Sequence, residues 1–183
     1  GTGRKRDPLH RHRCVGDDCG AVVAYTVTMR VYVPALLSEL SVPLPPVRGC
    51  VLCLPDGAMS ADDVEVLEDD AVTEAALMSL ELAREADARA ARVVLAVDTP
   101  AGEALEPGRE LSNRIHAAPA FEYTWSDVAA ILADLPDAAP AARAVLAAST
   151  QEEADRAVAD LWESSLAWFD TSERPALLDL HRQ

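Results

Sequence analysis

The apolar residues of this chain are grouped in short runs that end in proline or aspartate, each followed by a polar or helical stretch. The run Val-Val-Leu-Ala-Val at 93–97 is too continuous for a half-exposed strand, because strands of this kind lie in sheets that are covered on both faces. Similar runs predict further strands at 31–33, 50–54, 114–118, 129–133 and 166–169.

Helical spacing of apolar residues predicts the α-segments between these strands. It is clearest at 72–90, where Val72, Ala76 and Leu80 fall on one helix face. Shorter helices are predicted at 35–40, 138–148, 151–163 and 173–180. Strands that alternate with helices are typical of α/β proteins, so we predict a single layered domain over 29–183. Its sheet is expected to be mainly parallel or mixed, with about five to six strands flanked by helices.

The first 28 residues are set apart by their charge, with five basic side chains against three acidic ones. Met29 then opens the strand-forming sequence Met-Arg-Val-Tyr-Val-Pro. Two interpretations remain open: residues 1–28 are an extension upstream of a natural start at Met29, or they are a genuine basic arm. Mass spectrometry of the native N-terminal peptide distinguishes the two.

Composition narrows the class of protein. The 183 residues carry 16 basic and 31 acidic side chains, a net charge of −15, which argues against binding to nucleic acid or to anionic lipid. No apolar run reaches the roughly 18 residues that a membrane span needs, and the sequence shows no secretory leader. We therefore expect a cytoplasmic protein that binds neither nucleic acid nor membrane. Nothing in the composition indicates the oligomeric state.

The four cysteines form two closely spaced pairs, Cys14 with Cys19 and Cys50 with Cys53. Cysteine thiolates are common zinc ligands, and two such pairs are typical of a zinc site. Residues i and i+3 of a strand point to opposite faces, however, so Cys50 and Cys53 are predicted to be separate, buried apolar side chains. Metal binding by Cys14 and Cys19 stays open.

Three segments of the chain resemble a known family: Met-Arg-Val-Tyr-Val-Pro-Ala at the first strand, Arg-Val-Val-Leu-Ala-Val-Asp-Thr-Pro in the middle, and Leu-Ala-Trp-Phe-Asp near the end. Over residues 29 to 180 the chain is similar to an uncharacterised actinobacterial family of small acidic proteins. The resemblance implies one compact domain that begins at Met29. Because no activity is established for that family, no cofactor is predicted and no site residue is carried over.

Aspartate follows three of the predicted strands. Asp98, Asp134 and Asp170 would converge if these strands ran parallel side by side, because ligands of open α/β sheets collect beyond the carboxyl ends of the strands. Clustered carboxylates favour Mg²⁺, so the three are the candidate metal ligands of a hydrolase or phosphotransferase. Alternatively, each forms a turn or caps the next helix. Walker A, dinucleotide-binding, nucleophile-elbow and zincin motifs do not occur in the sequence.

A dense group of acidic residues is the main surface feature: Asp62, Asp63, Glu65, Glu68, Asp69, Asp70 and Glu74. Such a group suits a docking surface for a partner protein with a basic surface, where charge speeds the encounter. It is equally typical of a solvated loop with negative charge near a helix N-terminus.

A histidine and a group of three aromatic residues have both a functional and a structural interpretation. His116 is a candidate acid or base, but a lone histidine in a predicted strand favours a structural role. Phe121, Tyr123 and Trp125 alternate along the chain, which predicts a strand that presents all three on one face, as core or as a binding surface.

These observations favour a non-catalytic accessory or regulatory module that acts by binding another protein. The competing hypothesis is a Mg²⁺-dependent hydrolase or phosphotransferase that uses the three strand-end aspartates.

Overall fold

The computed structural model describes residues 28–100 and 103–183. Its strands, numbered in chain order, are β1 Arg30–Ala35, β2 Cys50–Cys53, β3 Val93–Asp98, β4 Glu110–Ser112, β5 Ile115–Ala118, β6 Val128–Ala133 and β7 Ala167–Phe169. Its α-helices are α1 Ala61–Glu85, α2 Ala139–Ala147, α3 Gln151–Trp162 and α4 Arg174–Leu180.

The prediction of a mainly parallel or mixed sheet of five to six strands is wrong. The described residues form a seven-stranded sheet in the order β4-β5-β2-β1-β3-β6-β7, and every neighbouring pair is antiparallel. Helix α1 connects β2 to β3 across β1, so these two strands run in the same direction without being neighbours. A continuous apolar run indicates burial on both faces, but it carries no information about which strand lies alongside or in which direction.

The positions of the buried strands agree better with the prediction. All side chains from Val93 to Val97 are at most 1 % exposed, and this strand lies between β1 and β6. Strand β4 lies outside the predicted strands, because its three residues are too few to give a pattern. The division into an extension at 1–28 and one domain at 29–183 stays a prediction.

Helix α1 begins eleven residues before the predicted start at 72. Ser60 caps it by accepting a hydrogen bond from the backbone N–H of Asp63 (3.1 Å), and Asp63 accepts one from the N–H of Ser60 in return. The acidic group at 62–74 therefore lies inside the helix, and its interpretation as a solvated loop is wrong. The expected negative charge near a helix N-terminus is present at Asp62 and Asp63, which the positive end of the helix dipole favours in the first turn.

The two faces of the sheet are covered by different parts of the chain. On one, the loop face, Val31, Val33 and Leu95 pack beneath helix α4 and the irregular segments 36–49 and 119–127. On the other, the helix face, Val51 and Val94 pack beneath α1. Helices α2 and α3 form a third cluster with the C-terminal half of α1.

No helix within the described ranges combines the length and the apolar character that crossing a membrane requires. The basic segment and the pair Cys14 and Cys19 lie outside the described residues.

Candidate functional site

Helix α1 leaves part of the helix face uncovered. It packs mainly across β1, β2 and β3, whereas β6 and β7 continue the sheet beyond it. The small side chain of Ala96 on β3 leaves room beneath the N-terminal half of the helix. A groove of about 390 Å³ opens there, lined by Arg30, Tyr32, Ala61, Val64, Glu65, Glu68, Asp69, Val72, Ala96, Leu132 and Trp168. We call this the acidic groove.

One wall of the acidic groove carries three carboxylates. Glu65, Glu68 and Asp69 share one face of α1 because residues three and four apart lie above one another on a helix. None of the three makes a salt bridge or a side-chain hydrogen bond to another described residue. The remaining acids of the group point elsewhere: Asp63 caps the helix, and Asp62, Asp70 and Glu74 do not line the groove.

The positive charges beside the groove are already neutralised. Arg30 donates from Nε and Nη2 to the carboxylate of Asp98, at 2.7 and 3.2 Å. This contact and the Coulomb attraction of Asp98 raise the pKa of Arg30 above its ordinary value, against a smaller opposing effect of burial. The groove therefore presents net negative charge to a ligand.

Tyr32 on the groove floor has an unused hydroxyl. The residue is 5 % exposed, yet the hydroxyl has no hydrogen-bond partner among the described residues. It is not one of the fully enclosed polar atoms, so it opens onto the groove. Burial, and next the negative charge of Glu68, raise the pKa of Tyr32. Buried tyrosine hydroxyls normally find a partner, so this one is available to a ligand.

Trp168 borders the groove at the sheet edge. It lies on β7 opposite Leu132, and it is 68 % exposed. A large, solvent-exposed aromatic side chain next to carboxylates is typical of binding surfaces rather than of the remaining protein surface.

The structure places the three candidate aspartates in separate environments. The antiparallel register puts Asp98 and Asp134 at opposite ends of the sheet, since Val97 pairs with Val128 and Val93 with Ala133. Asp98 is paired with Arg30, Asp134 is buried, and Asp170 accepts a hydrogen bond from the N–H of Ser172. Within the described ranges, no group of three or more His, Cys, Asp or Glu side chains is arranged to hold a metal ion. Mg²⁺ binding by these aspartates stays a prediction, which calorimetric titration with Mg²⁺ tests.

Asp134 belongs to a buried polar network that sequence reasoning missed. Its carboxylate accepts hydrogen bonds from Nη2 of Arg92 (2.6 Å) and from the Arg92 backbone N–H (2.8 Å), and both side chains are almost fully buried. His181 on the last turn donates from Nε2 to the Asp134 carbonyl oxygen at 2.7 Å. The signal in the sequence was an arginine just before one buried strand and an aspartate just after another.

Cys50 and Cys53 lie on opposite faces of the sheet, as predicted. Cys50 belongs to the core of the loop face and Cys53 packs against the core of the helix face. Burial raises the pKa of the Cys50 thiol to about 12. Burial, and then the charge of Glu68, raise the pKa of Cys53 as well. Both are free thiols.

His116 and the aromatic group have structural surroundings. His116 donates from Nδ1 to the carbonyl oxygen of Gly108 (3.1 Å), which fastens the segment before β4. The predicted strand through Phe121, Tyr123 and Trp125 is wrong, because this segment is irregular. Phe121 and Tyr123 nevertheless share the core, with ring centroids 5.1 Å apart.

The chain belongs to a family of unknown function (DUF6912), which matches residues 29–178. No curated protein and no solved structure matches the chain. The family therefore brings no activity and no residue role, and the function has to be argued from the groove.

Proposed function

We propose that this protein is a non-catalytic accessory or regulatory module that binds a basic segment of a partner protein in the acidic groove. The observation that carries the proposal is the combination of three unpaired carboxylates with the unused hydroxyl of Tyr32 in one cavity. A carboxylate wall alone is common on protein surfaces. A hydroxyl that opens onto a cavity and has no partner among the described residues is free to hydrogen-bond a ligand.

The chemistry of the groove favours an arginine side chain as the occupant. A guanidinium donates to carboxylates in a planar, two-pronged geometry, and its flat face stacks on an aromatic ring such as that of Trp168. A cavity of about 390 Å³ holds one or two such side chains. The carboxylates, the tyrosine hydroxyl and the tryptophan ring of the groove are groups that bind a cationic side chain, which supports the proposal of a binding site.

The proposal places this module in the cytoplasm, where thiols such as those of Cys50 and Cys53 stay reduced.

Calorimetric titration with short arginine-containing peptides at low ionic strength tests the proposal. The groove variant Glu65→Gln/Glu68→Gln removes two charges that line the cavity. Its matched control, Asp70→Asn/Glu74→Gln, removes two charges from the same helix on surfaces outside the groove. We expect the groove variant to bind about tenfold more weakly and the control to change by less than about twofold. Equal losses of peptide affinity in the two variants would show that only the overall negative charge attracts the peptide, and would refute binding in the acidic groove.

A further inference from the structure

A second cavity adjoins the acidic groove on the far side of Trp168. It has a volume of about 280 Å³ and shares Asp69, Val72, Leu132 and Trp168 with the groove. Its own lining adds the apolar residues Ala76, Trp162 and Leu166 and the polar residues Thr73, Arg92, Ser164 and Ser165. We call this the apolar pocket, after the two tryptophans that flank it. The shared residues make the two cavities one continuous surface with an acidic part and an apolar part.

Two partly exposed tryptophans flank the apolar pocket, and one of them, Trp162, also lies over the Arg92 guanidinium, 5.4 Å from its ring centroid. Trp162 on α3 is 40 % exposed and Trp168 is 68 % exposed, and the two flank the pocket from different elements. Aromatic residues that stand open around a concave surface are the typical anchors of protein interfaces.

One polar group of the apolar pocket, the guanidinium of Arg92, suits a peptide backbone rather than a charged ligand. Arg92, which is 2 % exposed, donates from Nε and Nη2 to Asp134 and from Nη2 to the carbonyl oxygen of Ser164. Its Nη1 has no partner among the described residues and is not fully enclosed. Because Asp134 neutralises the guanidinium, Nη1 is suited to donate to a neutral acceptor such as a backbone carbonyl.

The dimensions of this surface correspond to an extended peptide. The two cavities follow α1 from Ala61 to Ala76, which is roughly 22 Å at 1.5 Å per residue. About seven residues of extended chain cover that length. The centres of the two helix segments that line the cavities are roughly 9 Å apart. This separation is two to three residues of an extended chain, and residues two apart point to the same side.

We infer that the partner segment is an extended peptide in which a large apolar side chain stands two residues from an arginine. The apolar side chain fills the apolar pocket between Trp162 and Trp168, while the arginine occupies the acidic groove. The inference rests on the proposed function and adds to it the sequence class of the partner.

Three heptapeptides test the inference by calorimetry on the full chain. The first is Ser-Arg-Ser-Phe-Ser-Arg-Ser, whose symmetry places an arginine in the groove for either chain direction. The second has serine in place of phenylalanine, and the third has glutamate in place of both arginines. We expect the first to bind about tenfold more tightly than the second, from burial of the phenylalanine ring, and the third not to bind.

Two variants test whether the higher affinity of the phenylalanine peptide comes from the apolar pocket. Trp162→Ala removes one wall of the apolar pocket, and Thr73→Gln fills the pocket from α1 without changing charge. Both should reduce the advantage of the phenylalanine peptide to less than about twofold, whereas Glu65→Gln should weaken both arginine peptides and leave the ratio unchanged. Circular dichroism and the thermal midpoint verify that each variant is folded.

The outcomes separate the two proposals. Equal affinity of the first two peptides for the unaltered protein would show that the apolar pocket does not bind the phenylalanine side chain and would overturn this inference. The proposed binding of a basic segment would be unaffected. If the phenylalanine peptide still binds more tightly than the serine peptide in both pocket variants, the inference is likewise overturned. Absence of binding by either arginine peptide would overturn the proposed function, and the inference with it.

Discussion

The two faces of the sheet are completed in different ways. The loop face is closed by α4 and by irregular segments, whose apolar side chains, such as Leu40 and Leu177, reach almost complete burial. The helix face depends on one long helix, and beyond β3 it carries a groove bordered by Trp168. The loop face buries its core within the chain, although a cavity of about 400 Å³ lies beside α4. The helix face combines exposed apolar and acidic side chains with a tyrosine hydroxyl that has no partner among the described residues. We interpret the first face as architecture and the second as the binding surface.

The largest expected effect comes from the ion pair at the end of the sheet where the two faces meet. Asp134→Ala leaves the Arg92 guanidinium buried without its partner, which should lower the free energy of unfolding by about 3–5 kcal/mol. The matched control is Asp98→Ala, which breaks an ion pair whose side chains are about 40 % exposed and should cost at most about 1 kcal/mol. Urea unfolding measures both, and similar losses would contradict the distinction.

A second prediction compares the faces directly. Leu177→Ala removes a fully buried anchor of α4 on the loop face and should cost about 2–4 kcal/mol. Trp168→Ala removes a larger side chain from the helix face, yet it should change the free energy of unfolding by at most about 0.5 kcal/mol because the ring is exposed. A large loss of stability in the tryptophan variant would make Trp168 part of the core rather than of a binding surface.

A third prediction uses one thiol on each face. Burial raises the pKa of Cys50 to about 12 and also raises that of Cys53, so both carry less thiolate at pH 8 than an ordinary cysteine. Cys53 is only partly buried, so iodoacetamide should modify it before Cys50. Peptide mapping by mass spectrometry follows each site separately. Faster modification of Cys50 would show that the loop face opens more readily than the helix face.

The smallest effect is expected at Asp170, which caps the turn before α4 on the loop face. The hydroxyl of Ser172, and next its backbone N–H, hold the pKa of Asp170 below its ordinary value of 3.8. The ionised carboxylate therefore adds stability at pH above 3.8, and that contribution disappears as the pH falls through the lowered pKa. Asp170→Asn should lower the thermal midpoint slightly at pH 7, and the difference should vanish in strong acid. A difference that persists there would indicate a cause other than ionisation.

Most strands and helices could be predicted from local pattern, except for β4 and the first eleven residues of α1, and the candidate site could be predicted only in part. The sequence shows that 93–97 is buried on both sides and that Cys50 and Cys53 face apart, because both properties follow from side-chain period along one segment. It also shows that 62–74 is acidic. It does not show that only three of those acids line a groove, since this depends on how α1 is rotated above the sheet.

The same limit explains why the expected convergence of the three aspartates does not occur, although Mg²⁺ binding by them stays a prediction. Their position after predicted strands was correct for Asp134 and Asp170 and nearly so for Asp98, which ends β3. Their convergence required parallel neighbours, and the antiparallel register separates Asp134 from Asp98. The buried pair of Arg92 and Asp134 arises from that register, because it brings the first residue before β3 next to the first residue after β6.

What the sequence determined by itself is the set of segments and the sides on which each is apolar, since these depend on contacts that repeat every two or every 3.6 residues. Tertiary structure alone decided the neighbours and directions of the strands. Backbone hydrogen bonds of one strand are satisfied equally well by many others, and the choice depends on how all the covering layers fit together. This arrangement of the strands produces the acidic groove, the Tyr32 hydroxyl that has no partner among the described residues, and the exposed side chains of Trp162 and Trp168.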